Sequence, residues 1–242
     1  LLSLHMLQRE KDLPAFLETP EGRDATARAA ASGIAVEYAI HSLSLLLPRD
    51  LFARRPDLFR MDVRGERVPD GNLCPSSGEA LEILGSAAVR LAARMRPTTG
   101  RHHLWPDDGA GWCHCPRCAG LSDADQNALA INAVLRALRG ADPEARLACL
   151  SYLNTLAPPS RVAPDPGLFL QWAPIGRCYR HAVDDPGCAV NREHAAGLRR
   201  LLGVFDPEDA EVLEYWMDAS LFSRWKRPPV RRLSVRCARQ KA

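Results

Sequence analysis

Ile34-Ala35-Val36-Glu37-Tyr38-Ala39-Ile40, followed by His41, reads as a strand with two unlike faces. Successive side chains of a strand point to opposite sides of the sheet. One side therefore carries Ile34, Val36, Tyr38 and Ile40, large and mostly apolar; the other carries Ala35, Glu37, Ala39 and His41, small or ionisable. In a barrel of parallel strands with helices outside, the first set faces the helices and the second faces the interior and its mouth. Glu37 and His41 are then expected to point toward a site. The alternative is an edge strand with Glu37 in water.

Working outward, Leu1 to Met6 is a short apolar strand and Gln8 to Pro14 a polar loop. Thr19 is a helix N-cap with Pro20 at the first helical position, and the alanine-rich run Asp24 to Ser32 makes a helix that Gly33 stops. On the other side, Leu45 to Leu58 reads as short helical turns in a long loop. Val63 to Asn72, with Gly65, Pro69 and Gly71, reads as a hairpin-like excursion ending at Cys74-Pro75. Helices follow from Ser77 to Met95, stopped by Pro97, and from Ser122 to Arg139, with Asp125 at the third helical position and Gly140 as stop. A further helix covers Asn191 to Leu202. Strands are expected at His102 to Pro106, Arg146 to Tyr152, Leu168 to Ala173 and Glu211 to Met217, with a proline-rich connector through Pro158, Pro159, Pro164 and Pro166.

This alternation argues for an α/β fold with a parallel sheet. No glycine-rich phosphate loop is present. Instead, polar clusters follow the carboxyl ends of strands: His41, Asp107 and Asp108, Asn154, Arg177 to His181, and Asp218. Polar residues gathered from many strand ends belong to a TIM-barrel-like (β/α)8 fold, here incomplete, with about six of the eight strands.

The 242 residues, 46% hydrophobic and 25% charged, are enough for one full-sized core. A net charge of +3, with arginines spread among nearly as many acids, argues against nucleic acid or a membrane surface as partner. No apolar run reaches the roughly 18 residues of a membrane span, and no signal peptide opens the chain. It begins without methionine, in what reads as mid-strand, so a fragment is expected. Eight unevenly spaced cysteines suit reduced thiols or a metal better than a disulfide framework, and point to the cytoplasm.

The densest chemistry lies from His102 to Cys118. Asp107 and Asp108 both reach the site only if the strand has already ended, which Pro106 and Gly109 make plausible. The alternative is a turn in which an aspartate caps the backbone ahead of Gly109. Cys113, Cys115 and Cys118, with His114 or Cys74 as a fourth ligand, offer sulfur for a structural zinc. The competing reading is a set of reduced, buried thiols that pin the loop by packing.

Asn72-Leu73-Cys74-Pro75-Ser76, Trp105-Pro106-Asp107-Asp108-Gly109 with Gly111-Trp112-Cys113-x-Cys115-x-x-Cys118, Ala173-Pro174-Ile175-x-Arg177-Cys178-Tyr179, Asp184-Asp185-Pro186-x-Cys188 and Glu214-Tyr215-Trp216 together resemble the domain-of-unknown-function 4838 family. The resemblance covers residues 1–231. It implies a glycoside-hydrolase-like TIM barrel; several members are similar to glycoside hydrolase family 163, which cleaves between N-acetylglucosamine units of N-glycans. The implied partner is carbohydrate, and the implied chemistry is retaining hydrolysis in which the substrate's own acetamido group attacks.

On that resemblance Asp107 and Asp108 are the candidate catalytic pair, with Asp108 the more central, and Glu214 is the acid from a facing strand. Candidate substrate-binding residues are Glu37, His41, Trp112, Trp172, Arg177, Tyr179, His181, Trp216 and Asp218. The indoles would stack on sugar rings. The rival function is a carbohydrate-binding or scaffold barrel without catalysis. Where family members continue with further barrel elements, this chain ends in a basic tail, 232–242, which a truncation or a shifted reading frame would explain. An open barrel is also expected to expose strand edges.

Overall fold

The computed structural model describes residues 2–5, 12–109 and 111–215. Six parallel strands, β1 (Leu2–His5), β2 (Val36–His41), β3 (Arg101–Trp105), β4 (Arg146–Ser151), β5 (Leu168–Trp172) and β6 (Glu211–Val212), lie side by side in chain order. Among the described residues the order never reverses. That distinguishes a sheet wound in one direction, as in a barrel, from a doubly wound sheet with its switch point. The sheet curls into part of a TIM-type barrel.

Every crossover carries α-helix except that from β4 to β5, which among the described residues holds only the 3-10 turn Leu153–Thr155. Between β1 and β2 lie α1 (Asp12–Leu17) and α2 (Pro20–Ala31). α1 corrects the expected loop at residues 12–14: Pro14 sits in the first turn, where a missing N–H has no intrahelical partner to lose, and Leu13 and Leu17 bury one turn apart. Thr19 Oγ1 accepts the Gly22 N–H at 3.1 Å, and the chain leaves α2 through Gly33 at φ +67°. Past β2 come α3 (Leu43–Leu46) and two 3-10 turns, Arg49–Ala53 and Pro56–Leu58. The excursion that follows is held by antiparallel bridges pairing Phe59 with Leu73 and Met61 with Arg67. α4 (Gly78–Met95), α5 (Asp123–Ala141) and α6 (Ala189–Leu201) follow. Gly140 does not stop α5, which runs to Ala141; Asp142 forms its C-cap.

The core divides as the two faces of β2 require. Val36, Tyr38 and Ile40 join Leu104, Leu147, Leu170 and Trp172 from other strands and Leu84, Ala88, Ile131 and Leu135 from α4 and α5 in one apolar cluster outside the sheet. Ala39, Trp105, Leu150 and Ala173 form a smaller cluster on the inner face. α4 and α5 approach closely at Gly85, where an added Cβ would lie 2.8 Å from that of Ala137. Among the described residues no helix is long and apolar enough to cross a membrane.

Candidate active site

β3 sends Arg101, His103 and Trp105 to the inner face, and Asp107 continues their parity beyond the strand end. Its side chain is 14% exposed. Oδ1 accepts the Ser44 N–H at 3.0 Å, Oδ2 meets Arg49 Nη2 at 3.3 Å, and the Asp107 N–H donates to Asn72 Oδ1 at 3.0 Å. Burial pushes the Asp107 carboxyl above its ordinary value, against the lowering pull of the Ser44 hydrogen bonds and of Arg49 and His41. Asp108 falls on the opposite parity and is exposed. The more central carboxylate is thus Asp107, not Asp108. A shallow cleft beside it is lined by Asn72, Trp112, Leu150, Tyr152, Asn154 and Thr155.

His41 stands at the same end of the sheet, its Nδ1 bonded to the Pro106 carbonyl and its ring edge-on to Trp105 with centroids 5.2 Å apart. Glu37 faces inward as expected, but one layer down. There its Oε2 meets His103 Nε2 at 2.8 Å, its Oε1 accepts from Thr99 Oγ1 at 2.8 Å, and it is 2% exposed. Gln171 Oε1 links His103 at 3.3 Å to the Trp105 indole N–H at 2.7 Å. Below them Arg101 pairs with Asp209 at 2.5 Å and Glu211 at 2.6 Å and lies 3.7 Å over the Phe169 ring. Glu37 therefore belongs to a buried polar belt joining strands, which corrects its assignment to substrate: every oxygen it carries is engaged below the mouth.

Beyond β5 and β6, Arg177 grips Glu214. Nε donates to both carboxylate oxygens at 3.0 and 3.1 Å, and Nη2 donates to Oε2 at 3.0 Å. The pair is nearly buried, with side chains 5% and 9% exposed. Arg177 also lies 4.2 Å over the Tyr179 ring. A glutamate held on both oxygens by a guanidinium makes a charge-assisted, forked pair. His181 is exposed; its Nδ1 stands 3.2 Å from Cys178 Sγ, and the hydrogen bond between them lowers the Cys178 thiol to about 7.

Trp112 and Trp172 correct the expectation of sugar stacking. They are 1% and 2% exposed and sit in the larger apolar cluster. Trp172 shares the parity of Leu168 and Leu170, so it faces helices. Trp216 and Asp218 lie outside the described residues. Sequence reasoning missed Arg49 and Ser44 as partners of Asp107. They come from the loop after β2, where an arginine following the leucine run 45–47 was the available signal.

The thiols of Cys74, Cys113, Cys115 and Cys118 converge in the loops behind Asp107, their sulfurs all within 4.8 Å of one another. His114 points to solvent and takes no part. Cys178, His181 and Cys188 make a second group, with ligand atoms likewise within 4.8 Å of one another. None of the described cysteines is in a disulfide.

Residues 14–197, more than half of the chain, match a family model whose description is Domain of unknown function (DUF4838). No curated protein matches.

Proposed function

Because the chain belongs to the family described as Domain of unknown function (DUF4838), we propose that it is a glycoside hydrolase acting on N-acetylglucosamine-containing glycans by a substrate-assisted, retaining route. One observation carries the reading: a carboxyl group, Asp107, stands at the carboxyl end of a barrel strand beside a cleft, in surroundings that favour its protonated form. Such a group suits proton donation to a glycosidic oxygen. Arg49, beside it, has a buried Nη1 with no hydrogen-bond partner among the described residues and is suited to a substrate oxygen. Glu214, presented by Arg177, takes the second role and orients the acetamido group that attacks the anomeric carbon.

The test is product formation from chitobiose-type and N-glycan substrates. Asp107→Asn is expected to lower kcat by about 10²-fold to 10⁴-fold, the range of general acid catalysis. Glu214→Gln lowers it as well, while Asp108→Asn leaves it near the wild-type value. Glu214, held on both oxygens by Arg177, favours a second reading, a carbohydrate-binding barrel without catalysis. Binding without turnover, unchanged by either Asp107→Asn or Glu214→Gln, would establish that reading instead.

A further inference from the structure

We propose that Cys74, Cys113, Cys115 and Cys118 bind a single structural zinc ion that fastens the Asp107 loop to the excursion before α4. The distances suit one tetrahedral ion. Zn–S bonds of about 2.3 Å place the sulfurs of a tetrahedron about 3.8 Å apart. Cys74 Sγ stands 3.7 Å from Cys115 Sγ and 3.9 Å from Cys118 Sγ. An iron–sulfur cluster, with several irons between its ligands, needs its thiolates spread more widely than this.

The surroundings are those of thiolates rather than of packed thiols. A tetrathiolate zinc carries a charge of −2, which neighbouring donors must balance. The Met61 N–H points at Cys113 Sγ at 3.3 Å, Arg67 Nη1 lies 3.6 Å from the same sulfur, and Ser76 Oγ is 3.0 Å from Cys118 Sγ. Apart from the partly buried Met61, the cluster holds no apolar residue but its four cysteines, each no more than 2% exposed, and it is separate from both larger apolar clusters. Four small side chains make a poor core by area burial. They make a complete coordination shell.

The ion would join two distant segments. Cys74 ends the excursion; the other three ligands follow β3. Asn72, two residues before Cys74, accepts the Asp107 N–H at 3.0 Å and donates to the Gly111 carbonyl at 3.3 Å. Fixing Cys74 to the 113–118 loop therefore fixes the residue that holds the Asp107 backbone. This is independent of any glycosidase activity, since metal content is read without substrate.

The experiment measures metal in the full chain purified under reducing conditions from zinc-supplemented medium. A single zinc per chain is expected. An organomercurial should release it from the wild-type protein, and Co²⁺ exchanged into the site should show the ligand-field and sulfur-to-cobalt charge-transfer bands of tetrahedral thiolate. Cys74→Ser and Cys115→Ser should each abolish metal binding, whereas His114→Ala and Cys178→Ser retain it. The wild-type measurements stand whether or not the serine variants fold. Absence of zinc, iron in its place, no release by the mercurial, or zinc retained by Cys74→Ser and lost from His114→Ala would each overturn the proposal.

Discussion

At Asp107 one carboxyl links stability to pH. Its folded value is raised by burial, so between the unfolded carboxylate value, about 3.9, and that raised value the folded state binds more protons than the unfolded state. Stability from this residue is present below the unfolded value and is lost as pH climbs through the folded one. Asp107→Asn removes that titration. Urea unfolding from pH 4 to pH 7 should show a flatter profile for the variant than for the wild type. A second residue-scale prediction concerns thiols. Cys178 is lowered to about 7 by His181 and the Arg180 N–H, whereas burial pushes Cys149 up to about 12. Iodoacetamide should therefore alkylate Cys178 with a midpoint near pH 7, and leave Cys149 untouched until denaturant is added. Peptide mapping by mass spectrometry reads both.

α5 shows how one side chain can organise an element and its connector. Asp125 closes the capping box with Ser122, whose N–H and hydroxyl it accepts at 3.1 and 2.7 Å. Its other oxygen takes the backbone N–H groups of Ser160, Arg161 and Val162 at 2.7, 2.7 and 3.1 Å. Burial opposes the charged form, but these donors win and hold the carboxyl well below its usual range. Asp125→Asn turns an amide toward N–H donors and should cost about 2–4 kcal/mol at neutral pH. Wild-type stability from Asp125 is lost only as pH falls below the unfolded value of about 3.9, so the difference between the two proteins should shrink in acid. At α2, Gly22→Ala should destabilise by about 1–3 kcal/mol although alanine favours helix, because the new Cβ would lie 2.1 Å from the Phe16 carbonyl oxygen. Thermal melts test it.

Elements of this kind were legible because caps and stops are local. Thr19, Ser77 and Ser122 each accept from the helix they precede, as their sequence context predicts. Face was legible too: Val36, Tyr38 and Ile40 lie outside the sheet and Ala39 inside. Depth was not, since alternation gives the side of a sheet and not the height along a barrel; Glu37 has the expected face at the wrong layer. Nor does a tryptophan in the sequence disclose its exposure. Strand parity does, and it sets Trp172 among helices and Asp107 ahead of Asp108. The fourth partner of the cysteine trio was ambiguous because Cys74 and His114 are equally available along the chain, and only the fold brings Cys74 back.

Across the whole molecule, the belt below the mouth ties β2, β3, β5 and β6 through polar groups rather than apolar packing. Arg101→Met would remove one ion-pair partner from Glu211 and one from Asp209, which keeps Arg146, and should cost about 1–3 kcal/mol. Hydrogen exchange should then accelerate at residues 207–212 before it does at α4 and α5. The strand order β1 to β6 has a consequence for how the chain acquires its structure. Each strand pairs with the one synthesised just before it, so a nascent chain leaving the ribosome meets its template already in place. Assembly of the described strands can proceed as an advancing front. The thiol quartet falls inside that front, closing when Cys118 emerges and before α5 is made.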